Sequence, residues 1–565
     1  MKKIAYFQIG SRLESAGIVE PEVIRNALTT SRTMGRPMIS LLMRNVQRYN
    51  DEEMETNVKR AIAEILEIPF FTNPGDCTVD QSLTKLVGLN KIEKQMAFVV
   101  LSNGRRYLHT LDPMDAEIVA PAMNALKGYD VSDCCMASPA CISSLMTREI
   151  MPMLIADKAK EMDSATDAEV QEHEEAEVTD IGKMFNNIIS AGISSRASDI
   201  HLSPEKRIAK IRMRVDGVMR EYMDIPLSVL EKLNNYIVSQ AKIPEPDKAK
   251  EPRDGAMEFR FSDEKDIFLR ISILTETDGR DDISIRVLNN KEMTLDQLGM
   301  SQEHQNIIAG LFQMTKGIVL FVGPTGSGKS TSMYAGLRAT DYVHRRVMTC
   351  EDPVEQTMEG ILQVSINDDA GLSYNEAIKS FLRHDPDIIG IGEIRDNAVG
   401  MNAMRASETG HLVISTLHCN DAPSAVSRLR GIDIPAQSIA SSLSAVIAQR
   451  LVRRVCPNCR EKYMLPKEHH WRELFDLGDG DIELVRGKGC PQCDGVGYKG
   501  RAVLTEIMLC NREIRAAIEE NAPSIEIERL AEASGYVRLV NDGIQKALDG
   551  VTTFDEIESI RRDIV

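Results

Sequence analysis

The chain of 565 residues has little that would suit it to a membrane or to nucleic acid. It contains no run of about 18 apolar residues and no charged-then-apolar leader, so we expect neither a membrane span nor an export signal. Its formal net charge is −18, which disfavours broad contact with nucleic-acid phosphates because such contact needs clustered Lys and Arg. We therefore expect a cytoplasmic protein without a nucleic-acid partner.

The remaining composition is ordinary for a globular chain. Hydrophobic residues make up 43% and charged residues 27%, and the length favours three or four domains. The 11 cysteines do not indicate a disulfide framework, because a reducing compartment keeps thiols free. Their spacing therefore carries more information than their number.

Hydrophobic periodicity and composition predict a multidomain α/β protein. We predict a helical N-terminal domain, a solvated acidic linker rich in Glu, Asp and Ala, a small α+β domain, a parallel α/β domain, a cysteine module and a C-terminal helical region. The boundaries assigned to these six segments are, in order, 1–155, 156–179, 180–290, 291–455, 456–500 and 501–565.

The most specific motif is GPTGSGKS at 323–330, which follows the apolar run GIVLFV and precedes a helix-forming stretch. In the pattern G-x-x-x-x-G-K-[ST], glycines let backbone N–H groups surround phosphate oxygens at a helix N-terminus. Lys329 would reach the β- and γ-phosphates of ATP, and Ser330 would hold Mg²⁺. The predicted nucleotide-binding residues are Gly323, Pro324, Thr325, Gly326, Ser327, Gly328, Lys329, Ser330 and Thr331.

Acidic residues and histidines flank the strands predicted after this loop. CEDPVE places Glu351, Asp352 and Glu355 at the carboxyl end of a parallel strand, where ligands of such sheets bind. A carboxylate there can orient or deprotonate the attacking water. Glu393 follows the next apolar strand, in the position from which an acid reaches Mg²⁺ or its water. His411 and His418 bracket the strand after that and can change charge near neutral pH.

Two CxxC pairs, CPNC and CPQC, form the second strong motif. Four thiolates in this arrangement suit a closed, tetrahedral, structural Zn²⁺ site. Two unrelated redox pairs are the alternative, but neither pair has a thioredoxin-like context. We predict zinc ligation by Cys456, Cys459, Cys490 and Cys493.

Four stretches together resemble the Walker A, Asp box, Walker B and His box of the secretion ATPase superfamily, whose members power type IV pili and type II secretion. They are GPTGSGKS, CEDPVE, LRHDPDIIGIGEIRD and TGHLVISTLHCNDA, and the likeness runs in order from about Asp180 to Ile560. It implies a homohexameric ring in which ATP lies between a PAS-like small α+β domain and a RecA-like P-loop core. It also implies roles for Glu351 in orienting or deprotonating water, for Glu393 as the Walker B acid, and for His411 and His418 in coupling hydrolysis to movement.

A ring site of this kind uses cationic groups from a neighbouring subunit. LRISIL and ISIRVL resemble the family segment that carries such trans arginines, so Arg270 and Arg286 are the candidates. Arg212 and Arg214 are the second choice. The alternative is that arginines on an exposed strand face only solvate the sheet.

The zinc module and the long N-terminal region resemble the pilus-assembly and type II secretion branches of the superfamily. The resemblance therefore implies a motor at the cytoplasmic face of the inner membrane, which docks a platform protein there and drives pilin polymerisation. Type II secretion is the first alternative. A DNA-transfer motor and a nucleotide-regulated scaffold are the others.

Part of the N-terminal region is similar to the domain that binds cyclic di-GMP in some relatives, where Arg-Leu-Gly opens each half. Here Gln8-Ile9-Gly10 and Pro37-Met38-Ile39 stand at those positions, and Ser31 replaces an expected glutamine. Without the arginines, the planar bidentate donors for phosphate or guanine are missing. We expect no binding of cyclic di-GMP.

Overall fold

The fold is described from a computed structural model. It describes residues 6–564 apart from 16, 35–37, 48–51, 89–90, 93–95, 165–173, 245–250, 263–264, 289–291, 369 and 494. Internal contacts divide the chain into two units, the first formed mainly by residues 1–289 and the second by most of residues 290–565. Among the described residues, no helix combines the length and apolar character needed to cross a bilayer.

The first unit begins with a helical bundle. Its helices are Tyr6–Ser15, Pro21–Met34, Met38–Gln47 and Glu52–Leu66. Apolar residues spaced three or four apart along each helix form one buried cluster, which includes Ile9, Leu13, Leu42 and Ile62. At the positions compared with the dinucleotide motif, Ile9 and Ile39 are buried in this core, while Pro37 lies outside the described residues.

A five-stranded sheet comes after the bundle, so the prediction of a helical N-terminal domain is wrong for the second part of 1–155. Asn103 and Gly104, both at positive φ, join two of its strands in the two-residue turn that Asn-Gly favours. The strands are β1 (Phe70–Phe71), β2 (Thr78–Val79), β3 (Phe98–Ser102), β4 (Arg105–His109) and β5 (Val131–Ala137), in the order β1-β5-β4-β3-β2. The helices of this segment are Gln81–Val87, Ala116–Ala125, Pro139–Leu145 and Met151–Ser164.

The small α+β domain is an antiparallel sheet covered on one face by helices. Its strands are β6 (Ala197–Pro204), β7 (Ile208–Val215), β8 (Val218–Pro226), β9 (Arg253–Ser262), β10 (Lys265–Thr275) and β11 (Asp281–Leu288), in the order β8-β7-β6-β11-β10-β9. Its helices are Glu174–Ser194 and Leu227–Gln240. Ile271 and Ile285 belong to the buried face, which packs on these helices, whereas polar residues alternate with them on the exposed face. The PAS-like comparison stays a prediction.

The predicted acidic linker is helical where it is described. Helix Met151–Ser164 enters it from one side and helix Glu174–Ser194 from the other, while 165–173 lies outside the described residues. Ile155 and Ala159 of the first of these helices are buried in the core of the small α+β domain.

The second unit is built on a seven-stranded sheet. Its strands are β12 (Gly317–Val322), β13 (Val347–Glu351), β14 (Leu362–Ser365), β15 (Ile388–Ile391), β16 (Leu412–Leu417), β17 (Leu443–Val455) and β20 (Tyr498–Leu509), in the order β14-β13-β15-β16-β12-β17-β20. Neighbouring strands run parallel except β20, which pairs antiparallel with β17. β12 and β16 are buried along their whole length, as expected for parallel strands covered on both faces.

Helices connect and cover these strands. They are Gln302–Phe312, Lys329–Arg338, Tyr374–Phe381, Asn397–Glu408, Ser424–Gly431, Ala436–Ser442, Trp471–Leu474, Arg512–Glu519, Ser524–Ala533, Leu539–Leu548 and Phe554–Ile564. A separate antiparallel pair consists of β18 (Arg460–Met464) and β19 (Glu483–Gly487). The predicted C-terminal helical region needs one correction, because 501–509 completes β20 and helices occupy only the residues after it.

Candidate nucleotide site and tetracysteine cluster

The phosphate loop lies between β12 and helix Lys329–Arg338, as predicted. Gly328 caps this helix at φ 91°, a conformation that favours glycine. Gly323 also has a positive φ, and a Cβ built there would lie 2.6 Å from the Gln449 backbone oxygen on β17. Glycine is therefore required at both positions by the close approach and sharp turn of the loop.

Two polar side chains are buried within the loop. The Lys329 Nζ donates to the backbone oxygens of Gly323 at 2.8 Å and Pro324 at 3.0 Å. Burial lowers the pKa of Lys329, while the nearby negative charge of Glu393 acts in the opposite direction. The Ser327 Oγ is buried and has no hydrogen-bond partner among the described residues.

These residues fit a nucleoside triphosphate and its Mg²⁺. An unpartnered buried hydroxyl, a lysine and a helix N-terminus converge on the loop, as phosphate binding requires. Ser330 in the first turn of the helix is the residue that would hold Mg²⁺, which prefers oxygen ligands.

Glu351 ends β13 and is held firmly. The residue is 3% exposed, and its carboxylate accepts hydrogen bonds from the Tyr334 hydroxyl, from the Thr349 Oγ1 at 2.6 Å and from the Gln363 Nε2 at 3.2 Å. Burial, and then the Glu351 charge, raise the pKa of Tyr334, so the phenol remains a donor. Glu355, from the same motif, is exposed.

Glu393 follows β15 and has a different environment. One carboxylate oxygen accepts from the Arg395 Nε, and the other lies 3.4 Å from the His418 Nε2. Adjacent parallel strands β15 and β16 bring Glu393 and His418 to the same edge as the phosphate loop. The predicted Walker B acid and one of the two predicted histidines are thus in direct contact.

His411 lies at the other end of β16. Its Nδ1 is 2.8 Å from the Ala406 backbone oxygen and 3.1 Å from the Thr409 Oγ1. Its own backbone oxygen accepts from Gly317, the first residue of β12, at 3.3 Å. Because a strand of this length spans roughly 20 Å, the structure does not bring His411 to the phosphate loop.

The predicted trans arginines lie together on the small α+β domain. Arg270 and Arg286 are direct cross-strand partners in β10 and β11, and both are exposed. The Arg286 Nε donates to the Asp199 Oδ1 at 3.1 Å, and the Arg214 Nε lies 3.9 Å from the other oxygen of Asp199. These residues belong to the first unit and Lys329 to the second, so their part in the site stays a prediction.

Sequence reasoning missed two arginines near the phosphate loop. Arg395 donates to Glu393 and, through its Nη2, to the Asp352 Oδ2 at 3.2 Å. Arg450 is 7% exposed, and its Nη2 donates to the Asn420 Oδ1 at 3.3 Å, in the loop after His418. The polar pair Gln449-Arg450 inside the apolar strand VIAQRLV was the available signal for the second.

The four predicted cysteine ligands form one cluster. All four Sγ atoms lie within 4.8 Å of one another, and those of Cys490 and Cys493 are 3.7 Å apart. The ends of the β18–β19 pair lie close to it, because the Lys488 N donates to the Cys459 backbone oxygen at 3.0 Å. A tetrahedral Zn²⁺ with Zn–S bonds of about 2.3 Å places sulfurs about 3.8 Å apart, so the cluster fits this ion.

Comparison with known proteins identifies the family. A family model described as type II/IV secretion system protein matches residues 174–559. The chain belongs to the type II/IV secretion system protein family. It is therefore an ATP-hydrolysing enzyme, a secretion or pilus ATPase.

Curated relatives carry the names of both branches. The putative type II secretion system protein E of Escherichia coli K12 is 37% identical over 378 residues, covering 66% of this chain and 76% of that protein. The type IV pilus assembly ATPase PilB of Pseudomonas aeruginosa PAO1 is 33% identical over 404 residues, 71% of each chain. That of Myxococcus xanthus DK1622 is 32% identical over 510 residues, covering 86% of this chain and 88% of the relative.

A solved structure agrees with the fold. The X-ray structure of the Legionella pneumophila ATPase DotB matches with a TM-score of 0.51 and 20% sequence identity, covering 67% of this chain and 95% of that one. At this identity the likeness concerns the fold alone.

Proposed function

We propose that this ATPase powers type IV pilus assembly by driving pilin polymerisation. The observation that carries the proposal is the share of this chain that the Myxococcus xanthus alignment covers. The PilB of Myxococcus xanthus aligns with 86% of this chain, whereas the type II secretion system ATPase E of Vibrio cholerae aligns with 67% and the PilB of Pseudomonas aeruginosa with 71%. The family match begins at residue 174, so the longer alignment takes in much of the N-terminal region that lies before the shared core.

In the proposed hydrolysis, the chain positions phosphate groups and the attacking water. Lys329 binds the β- and γ-phosphates, and Ser330 with Glu393 holds Mg²⁺ and its water shell. The metal, when bound, neutralises charge on the phosphate oxygens. Glu351, fixed by its buried donors, orients the water for in-line attack or accepts its proton.

His418 couples this chemistry to movement, because it contacts Glu393 from the neighbouring strand. His411 has a structural part in our proposal, since its ring is bound to the end of helix Asn397–Glu408. Arg270 and Arg286 act on the nucleotide of a neighbouring subunit in a homohexamer. Their side-by-side exposure on one sheet face supports this role.

The proposed place of work is the cytoplasmic face of the inner membrane, where the N-terminal region docks a platform protein. The tetracysteine cluster holds a structural Zn²⁺. The net charge of −18 disfavours a DNA-transfer motor, and membership of a family of ATP-hydrolysing enzymes disfavours a passive scaffold.

Replacing Lys329 by Ala in the native chromosome tests the proposal. We expect loss of surface pili with normal release of secreted proteins, because the variant lacks the phosphate-binding amine. Intact pili with blocked secretion would instead assign the ATPase to type II secretion. If both processes continued normally, the motor function itself would be contradicted.

A further inference from the structure

Arg395 joins two acidic residues from different motifs. Asp352 follows β13 and Glu393 follows β15, and these two strands are neighbours in the sheet. The Arg395 Nε donates to Glu393, and its Nη2 donates to the Asp352 Oδ2 at 3.2 Å. One guanidinium therefore spans the carboxyl ends of two adjacent strands.

Tyr374 packs against this guanidinium. The Arg395 Cζ lies 5.6 Å from the centre of the Tyr374 ring, within the range of a cation–π contact. The ring is mostly buried against the strand ends, and a Cβ built on Gly392 would lie 2.7 Å from the Tyr374 hydroxyl oxygen. The small residue before Glu393 thus makes room for the ring that orients Arg395.

The exposure of the three charged groups makes this bridge exchangeable. The side chains of Arg395, Asp352 and Glu393 are 48%, 38% and 26% exposed. Ion pairs with this much water contact are weak in net free energy. The bridge can therefore set the direction of Glu393 and still yield to a competing cation.

Lysine could not reproduce this arrangement. A guanidinium offers donors in a planar fork and stacks on an aromatic ring, whereas an ammonium group is a compact point charge. The contact geometry of Arg395 uses both properties, since it bridges two carboxylates while lying over Tyr374.

We propose that Arg395 is a positioning residue that aligns Glu393 with Asp352 and competes with the divalent cation for Glu393. The proposal rests on the proposed role of Glu393 in holding Mg²⁺. Removing Arg395 should have two opposite consequences. Divalent binding should tighten because a neighbouring positive charge is lost, and turnover should fall because Glu393 loses its fixed direction.

The test compares Arg395→Ala and Arg395→Lys with the wild-type full chain. Binding of Mn²⁺ in the presence of a non-hydrolysable ATP analogue is followed by electron paramagnetic resonance, and ATP turnover is measured separately. For Arg395→Ala we expect Mn²⁺ to bind about tenfold more tightly, kcat to fall by about 10²-fold, and KM for ATP to stay within about threefold. Arg395→Lys keeps the charge and should retain wild-type Mn²⁺ affinity with an intermediate kcat.

Arg383→Ala is the matched control, because Arg383 is exposed and its Nη1 donates to the Lys379 backbone oxygen on the same unit. It should change neither quantity. Unchanged or weaker Mn²⁺ binding by Arg395→Ala would overturn the competition, and unchanged kcat would overturn the positioning role. Failure of the wild-type chain to hydrolyse ATP would contradict the proposed function instead, and the Mn²⁺ measurement would still decide the inference.

Discussion

The two ends of strand β16 carry one histidine each, and their surroundings differ. His418, at the carboxyl end, lies 3.4 Å from Glu393 and is exposed to solvent on its other sides. His411, at the amino end, is bound to the Ala406 backbone oxygen at the end of a helix. The same residue type at the two ends of one strand thus meets a side-chain carboxylate in one case and a backbone carbonyl in the other.

The difference extends along both edges of the seven-stranded sheet. At the carboxyl edge, the side chains of Glu393, Arg395 and His418, which follow the adjacent strands β15 and β16, come together around the Glu393 carboxylate. At the amino edge a charged side chain binds the main chain, since Arg345 donates to the Phe312 and Met314 backbone oxygens at 2.7 Å. Side chains that contact one another can exchange partners for a ligand, whereas the hydrogen bonds of Arg345 to backbone groups stabilise the fold.

Two lysines that flank β12 give the sharpest test of this contrast. Lys329→Ala should reduce ATP turnover by roughly 10²-fold or more, because a charged donor to the phosphates is lost. Phosphate release by the purified protein measures this effect, with thermal unfolding as a check on folding. Lys316→Ala, at the exposed position just before the same strand, is the control and should leave turnover within about twofold. Equal losses of turnover in the two variants would contradict the contrast between the two edges of the sheet.

The two histidines give a smaller but more direct test. His418→Ala should lower turnover at least about tenfold through loss of its contact with Glu393. His411→Ala should instead lower the free energy of unfolding by about 1 kcal/mol, the usual cost of a lost hydrogen bond, with little effect on turnover. Steady-state kinetics and denaturant unfolding separate the two effects. A turnover loss in His411→Ala as large as that in His418→Ala would contradict the assignment.

Sequence reasoning succeeded where a single segment contains the whole signal. The phosphate loop, the strand before it and the cysteine cluster were predicted because spacing along the chain fixes each of them locally. The sequence could also have assigned His418 and not His411 to the ligand-binding edge, because ligands of parallel sheets bind at the carboxyl ends of the strands. That rule was applied to the acids and not to the histidines.

The remaining errors concern strands and contacts between distant segments. The hairpin around Asn103 and Gly104 carried a recognisable turn signal that was overlooked. The residues of β20 were assigned in part to a helical region, although their apolar stretch pairs with β17 in the ATPase sheet. The bridge from Arg395 to Asp352 joins residues far apart in sequence, and only the order of strands in the folded sheet brings them together.

The tetracysteine cluster offers the last test, with the smallest effect expected on turnover. Its first cysteine, Cys456, directly follows β17, the strand whose Gln449 contacts the phosphate loop. A position near the carboxyl edge would by itself predict that the cluster takes part in catalysis, whereas a closed site of four thiolates predicts a structural role. Cys456→Ser should remove bound zinc, measured by elemental mass spectrometry, and make 456–500 sensitive to protease, because such sites contribute on the order of 10 kcal/mol to folding.

Turnover of Cys456→Ser should fall much less than that of Lys329→Ala, because the loop glycines and Lys329 are held by β12 and its helix rather than by the cluster. Arg460→Ala, on the exposed part of β18, is the matched control and should keep both the zinc and the protease resistance. A wild-type chain without zinc would refute the metal assignment. Full loss of turnover with an otherwise folded sheet would show that the cluster supports the nucleotide site. The position of the cluster at the carboxyl edge would then predict its function better than its four thiolates do.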